Sequence, residues 1–419
     1  MTYKEKIVLI SPPEQSVLME AGDRPSLGIL YVAGALRKAG HDVVLSDLNH
    51  DSYYTLERKI DKIKPDFIGM TTMSAYYGWF SEYAKHLRHR FPESKLIAGG
   101  PHATILPETI ENIFDFVVQG EGEHAIVDIV EGRAERGLVR RPYEENLDNL
   151  AKPARDLLPL DKRYQMSVFG KRATTLIGTR SCPYSCFFCT KDILGPKQRK
   201  HSVDYTLDEM EELTDKFGFQ SLYFQDDCFT HDRERTMNLA QGILDRGMNL
   251  EYKVITRSDK VDREMLELMK ESGLNCLSLG FEHMDDKVLE GTGKGSTVGD
   301  NIEAARMCKD LGLKVKGNFI LNLPGATKET MYQCLDFAKS QNMDLAMFYS
   351  LIAYPGTKLW DNPDKYGMRI TDYDYGVHQC SDCTNIEMVD IPTARFKGIA
   401  NDIRNKWKEF KGSGVPWES

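Results

Sequence analysis

The chain is 419 residues long, with 41% apolar and 28% charged residues, the composition of an ordinary globular protein with room for two domains. A formal charge of −9 excludes a nucleic-acid coat or a basic membrane-binding face, and the longest apolar stretch, around 345–354, is too short to cross a bilayer. Nine cysteines without a signal peptide point to a reducing cytoplasm, with no nucleic-acid or membrane partner expected.

Residues 1–145 alternate short apolar runs (7–10, 43–45, 67–70, 96–99 and 116–118) with amphipathic stretches such as 27–39, which Gly40 stops. The pattern predicts an α/β, Rossmann-like doubly wound parallel sheet, whose ligands sit beyond the carboxyl ends of the strands. The residues falling there are small or polar: Ser11; Thr71, Thr72 and Ser74; Gly99, Gly100 and His102; Gly120, Glu121, Gly122 and Glu123. Residues 131–170 carry mixed charge and recurring leucines and read as a connector, with a linker assigned to 146–171. A second alternation follows in 172–361. Strands are expected at 174–179, 221–225, 252–256, 276–281, 315–321 and 345–353, with helices at 207–217, 235–244, 263–270, 301–311 and 331–339. Six such units predict a partial (β/α)6 barrel with function at the carboxyl ends of its strands. A short helical extension, 362–419, closes the chain, with a terminal helix expected at 392–410.

The densest chemistry lies just past the first barrel strand, where Cys182, Cys186 and Cys189 are spaced Cys-x3-Cys-x2-Cys. Three soft thiolates suit an iron–sulfur cluster with one iron left open. Zinc is the competing reading, but a closed zinc site takes four ligands, commonly from paired Cys-x2-Cys units. Other strand ends converge on the same mouth. Gln225, Asp226 and Asp227 follow the second strand, where a carboxylate could do acid–base work or hold a ribose or a backbone amide. Arg257 ends the third, suited to a carboxylate or to a surface ion pair.

This cysteine motif resembles that of the radical S-adenosylmethionine (SAM) enzymes. The resemblance implies a 4Fe–4S cluster on Cys182, Cys186 and Cys189, whose free iron is chelated by SAM and which cleaves SAM to a 5′-deoxyadenosyl radical. It also implies that Glu282, in Gly280-Phe281-Glu282, accepts the SAM amino group, and that Phe188 and the segment around Asn318 lie on the adenine side. Asn322 and Ala326 depart from the usual glycine and glutamate of that segment. The first domain looks like the cobalamin-binding domain that precedes a large radical-SAM class, through Pro25-Ser26-Leu27-Gly28, Gly99-Gly100-Pro101-His102 and Gly120-Glu121-Gly122-Glu123. The Asp-x-His-x-x-Gly signature of cobalt ligation is absent, since Asp47 and His50 are wrongly spaced.

Together these readings imply cobalamin-dependent methyl transfer to an unactivated carbon or phosphorus centre of a small molecule, with an electron donor such as flavodoxin or ferredoxin as partner. The alternative is a non-methylating radical reaction (cyclisation, rearrangement or oxidation); a non-catalytic cobalamin or redox sensor would need no SAM contacts. In the tail, His378, Cys380 and Cys383 fall one ligand short of a closed metal site and read as an ordinary turn pair, with a thiol acting on substrate as the rival.

Overall fold

The computed structural model describes residues 4–13, 24–160, 163–168, 170–376 and 383–412. His378 and Cys380 lie outside them. The chain forms two compact units: Met1–Gln165 with Asp192–Gly195 and Asp374–Gln379, and a second unit holding the rest.

The first unit is a six-stranded, all-parallel sheet in the order β2-β1-β3-β4-β5-β6, with β1 at Lys6–Ser11, β2 at Asp42–Asp47, β3 at Phe67–Thr71, β4 at Lys95–Gly99, β5 at Phe116–Gln119 and β6 at Gly137–Arg140. The run Ile7-Val8-Leu9-Ile10 is buried on both faces, as a strand covered by helices on each side requires. On one face Val8, Ile10, Ile68 and Met70 pack under Leu56 and Ile60 of α2 (Tyr53–Ile63) and under Phe80, Ala84 and Leu87 of α3 (Tyr77–Arg90). On the other, α1 (Leu27–Lys38) packs beside α5 (Gly122–Val130); a short α4 (Pro101–Ile105) follows β4. Strand order reverses at β1, which places a crevice between the loops after β1 and β3.

The sequence reading missed β6. It is four residues long at the sheet edge and buries little beyond Val139, too short a signal for periodicity to register. Residues 149–156 lie along α1: Leu150 and Ala154 are buried, and the Ala154 amide donates to the Leu30 carbonyl at 3.0 Å. A side chain at Gly34 would overlap the Lys152 carbonyl oxygen, so glycine is what lets this segment close on the helix.

In the second unit β7 (Ser167–Val168) pairs antiparallel with β8 (Lys171–Leu176). From β8 the sheet runs in parallel through β11 (Ser221–Phe224), β12 (Glu251–Arg257), β13 (Leu274–Glu282), β14 (Lys314–Ile320) and β15 (Leu345–Tyr349). Spatial order follows chain order, the signature of a curled half-barrel. All six expected parallel strands are present. The intervening helices are α6 (Val203–Glu211), α7 (Arg233–Asp245), α8 (Arg263–Glu271), α9 (Asp286–Gly291), α10 (Val298–Asp310) and α11 (Lys328–Ser340). Several begin where a side chain caps the first turn: Ser202, Asp232 and Asp262 accept from the third residue on, and Thr297 forms a full capping box with Asp300. The first barrel strand stops earlier than expected, at Leu176. Thr179–Arg180 (β9) instead pairs antiparallel with Arg199–Lys200 (β10), and the cysteine loop is the excursion between them.

After a short α12 (Lys358–Asp361), a ribbon of β16 (Met368–Ile370) and β17 (Ile386–Met388) leads to α13 (Thr393–Lys411). This last helix packs on α11 and β15, with Trp407 edge-on to Phe348. Among the described residues no helix is long and apolar enough to cross a membrane.

Candidate functional site

The cysteine loop leaves the carboxyl side of β8 and is pinned along its length. The Cys189 amide donates to the Cys186 carbonyl at 3.2 Å, and Phe187 is bonded at both ends, its amide to the Thr292 carbonyl (3.2 Å) and its carbonyl to the Leu359 amide (3.1 Å). The Phe187 ring stacks on Tyr366 at 4.4 Å, and Lys358 Nζ donates to Ser185 Oγ at 2.5 Å. Tyr184 lies over the Arg257 guanidinium at 3.7 Å, and its hydroxyl meets His231 Nδ1 at 3.0 Å. The three thiols feel one another electrostatically. Burial, then the neighbouring Glu282 carboxylate, pushes the Cys186 thiol up. Coordination to a metal would offset that cost, because a coordinating thiol is deprotonated outright. Among the described residues no trio of Cys, His, Asp or Glu is already drawn in to metal-binding geometry. The loop holds the thiols as neighbours, and a cluster would have to gather them.

Glu282 ends β13 at a bulge in its pairing with β14, with φ +62°, a left-handed conformation uncommon for a non-glycine residue. Its Oε1 accepts from Lys294 Nζ at 2.8 Å, so the carboxylate already holds an ammonium, while Oε2 takes no hydrogen bond from the described residues. Lys294 was missed in the sequence reading; a lysine between two glycines twelve residues after Glu282 was the available signal. Arg257, read as a partner for a ligand carboxylate, is buried and already takes Asp259 with both ends of its fork (2.8 and 2.9 Å). Its Nη2 also donates to the Lys294 carbonyl at 2.5 Å, and Nη1 is buried with no partner. Gln225 Nε2, after β11, is a second buried donor without one. Two orphaned donors at adjacent strand ends fit a polar ligand bearing hydroxyls or a carboxylate.

Asp226, read as an acid–base group or as the holder of a backbone amide, here holds a backbone amide. It is fully buried, accepting from the Gly178 amide (2.7 Å) and the Thr179 hydroxyl (2.8 Å). It thus shapes the turn that launches the cysteine loop. Asp227 stands on the surface beside it. Asn318 donates to Ser278 Oγ and to the Leu279 carbonyl, tying β14 to β13 (3.0 and 3.1 Å). Asn322, where the family pattern has glycine, accepts from the Leu351 amide at 2.6 Å. Phe188 is half-buried, edge-on to Phe187.

In the first unit the strand-end loops are largely stitched to one another. Thr72 donates to the Gly99 carbonyl (2.9 Å) and accepts from the Ala103 amide (3.2 Å). Gly100 has φ +98°, and a side chain there would strike the Thr72 carbonyl oxygen at 2.9 Å. Glu121 accepts from the Glu144 amide at 3.0 Å, and Glu123 is buried. Side chains at Gly120 or Gly195 would press on the Tyr143 ring (3.4 and 3.1 Å), and one at Gly122 on Val32 (3.0 Å). Ser11 is buried, its carbonyl accepting from the Leu48 amide.

His102 is fully buried, with both ring nitrogens engaged. Thr109 donates its hydroxyl proton to the Leu106 carbonyl, so it accepts from Nε2–H (2.8 Å), leaving Nδ1 to accept from the Ser74 hydroxyl (3.0 Å). His102 therefore offers no lone pair to cobalt, and neither Thr72 nor Ser74 keeps a hydroxyl proton to donate to a nucleotide tail. What remains is backbone: among the described residues nothing lies within 4 Å of where a side chain would stand at Gly28, and the nearest atom is 3.9 Å away at Gly99. That cradle fits a flat macrocycle held by backbone, with cobalt not coordinated by His102.

Comparison with known proteins agrees with this geometry. Residues 20–130 match the B12 binding domain and 176–338 the radical SAM superfamily. An uncharacterized methyltransferase of Pyrococcus horikoshii is 32% identical over 384 residues, spanning 85% of this chain and 82% of that one. An anaerobic magnesium-protoporphyrin IX monomethyl ester cyclase of Cereibacter sphaeroides is 27% identical over 85% of this chain and 63% of its own. The fold is similar to that of the radical SAM methyltransferase TsrM from Kitasatospora setae, solved with cobalamin and a 4Fe–4S cluster (TM-score 0.70, 17% identity, 88% of this chain and 80% of that one). The chain belongs to the family of cobalamin-dependent radical SAM methyltransferases, whose cofactors are a 4Fe–4S cluster, SAM and cobalamin.

Proposed function

We propose that the protein methylates an unactivated carbon or phosphorus centre of a small molecule, with Cys182, Cys186 and Cys189 as the cluster ligands and Glu282 as the acceptor for the amino group of SAM. The observation that carries this reading is the cysteine loop itself: three neighbouring thiols past the carboxyl end of the first half-barrel strand, near a carboxylate that accepts from the Lys294 ammonium. When bound, the cluster and SAM supply radical chemistry and the corrinoid supplies the methyl-transfer chemistry. The chain's own residues do the holding. Asp226 fixes the turn before the loop, the β9–β10 ribbon closes its base, and Tyr184 on Arg257 fixes its flank. Gln225 and Arg257 present buried donors for the polar parts of SAM or substrate. A flavodoxin- or ferredoxin-type donor supplies the electron, and the cytoplasm supplies the reducing setting for free thiols.

Counting products tests the reading. Anaerobic turnover with a methyl acceptor should release S-adenosylhomocysteine and 5′-deoxyadenosine together. Release of 5′-deoxyadenosine alone would assign the protein to a non-methylating radical reaction, such as a cyclisation.

A further inference from the structure

We propose that Lys294 is a positioning residue of the SAM site, acting through Glu282 by holding that carboxylate aimed at the incoming ammonium. This rests on the reading above, in which Glu282 receives the SAM amino group.

Lys294 is buried, its side chain only 3% exposed. A lysine is rarely so buried unless its charge is paired. Its partners are Glu282 Oε1 and the Gly280 carbonyl, so the ammonium is spent inside the chain. The surrounding backbone is shaped to admit this pair. A side chain at Gly280 would stand 2.5 Å from Glu282 Oε1 and 3.0 Å from Lys294 Nζ. Gly293 and Gly295, flanking the lysine, have φ +68° and +81°, conformations that side-chain-bearing residues rarely adopt.

The same turn is clamped to the cluster loop and to the neighbouring strand. The Thr292 carbonyl accepts from the Phe187 amide, and the Lys294 carbonyl accepts from Arg257. Glu282 holds its left-handed backbone with one oxygen fixed by Lys294 and the other without a bond from the described residues. Remove the lysine and the carboxylate is left half-buried without a counter-charge. It would then turn toward water, and the aimed acceptor would be lost. A different role makes the opposite prediction. If Lys294 merely competes with SAM for Glu282, deleting its charge should tighten binding.

The test measures SAM binding, by anaerobic equilibrium dialysis with radiolabelled SAM on the full chain with reconstituted cluster. Iron and sulfide contents are determined for every sample. Lys294→Met should weaken SAM binding by about 10- to 100-fold with cluster content unchanged, and Lys294→Arg should recover most of the loss. In a Glu282→Gln background, Lys294→Met should add nothing further. That double variant carries no unpaired buried charge and stands in should the single variant fail to fold. Wild-type or tighter binding by Lys294→Met overturns the proposal, and so does a further loss in the double variant beyond Glu282→Gln alone. If Glu282→Gln itself binds SAM as tightly as the wild type, the underlying assignment of Glu282 fails instead, so the two failures are separable.

Discussion

Lowering the pH should unlatch the first unit at His102. Burial holds this imidazole down to about 4 from its ordinary 6.5, because its site is sealed by Tyr77, Phe80 and Tyr375 and both nitrogens already have neutral partners. A histidine with a depressed folded pKa contributes stability that is complete above the unfolded value and lost as the pH falls through the folded one. The window therefore runs from 6.5 down to about 4, and the loss across it is about 3 kcal/mol. Carboxylates such as Asp51 and Asp128, held below the carboxylate range by their arginine and lysine partners against the opposing effect of burial, act at lower pH and stay out of that window. His283, also held to about 4 by burial, lies in the second unit and reports through different peptides. Hydrogen exchange read by mass spectrometry on peptides covering 95–110 is the assay. Wild-type protection there should fall by about 3 kcal/mol between pH 6.5 and 4, while His102→Gln should start lower and stay nearly flat. Equal pH slopes in the two proteins, or an imidazole titrating near its ordinary value by NMR, would refute the reasoning.

Tyr375→Ala should open one side of that seal, costing about 1 kcal/mol in ring contact and moving the His102 pKa back toward its ordinary value in an NMR titration. Gly280→Ala should force Glu282 and Lys294 apart, destabilising by about 1–3 kcal/mol; calorimetry would show that loss, and dialysis should show weaker SAM binding with iron content retained. Asp226→Asn keeps the shape of a fully buried carboxylate but weakens its bonds to Gly178 and Thr179, a cost of about 1.5–3 kcal/mol. Iron retained per chain after gel filtration should therefore fall, while turnover per bound cluster changes little; a collapse of turnover at full iron content would make Asp226 catalytic after all.

Much of this molecule is legible along the chain because its signals are local. Short apolar runs spaced by amphipathic stretches give two successive parallel sheets, and Cys182, Cys186 and Cys189 carry their meaning in their spacing alone. Glu282 could be singled out because the motif around it is contiguous. Tertiary structure decided what each polar group is spent on. His102, Thr72 and Ser74 look like ligands in sequence, yet each is engaged by a partner 7 to 31 positions away, most of them brought near only when β3 and β4 pair. Asp226 turns inward for the same reason, its acceptors claimed by Gly178 and Thr179 across the sheet. Lys294 gains its importance from a bulge that folds Glu282 back over Gly280, which no periodicity records. Hydrophobic patterning is written residue by residue. A hydrogen bond between distant segments exists only once the backbone has closed, and so the site's division of labour belongs to the fold.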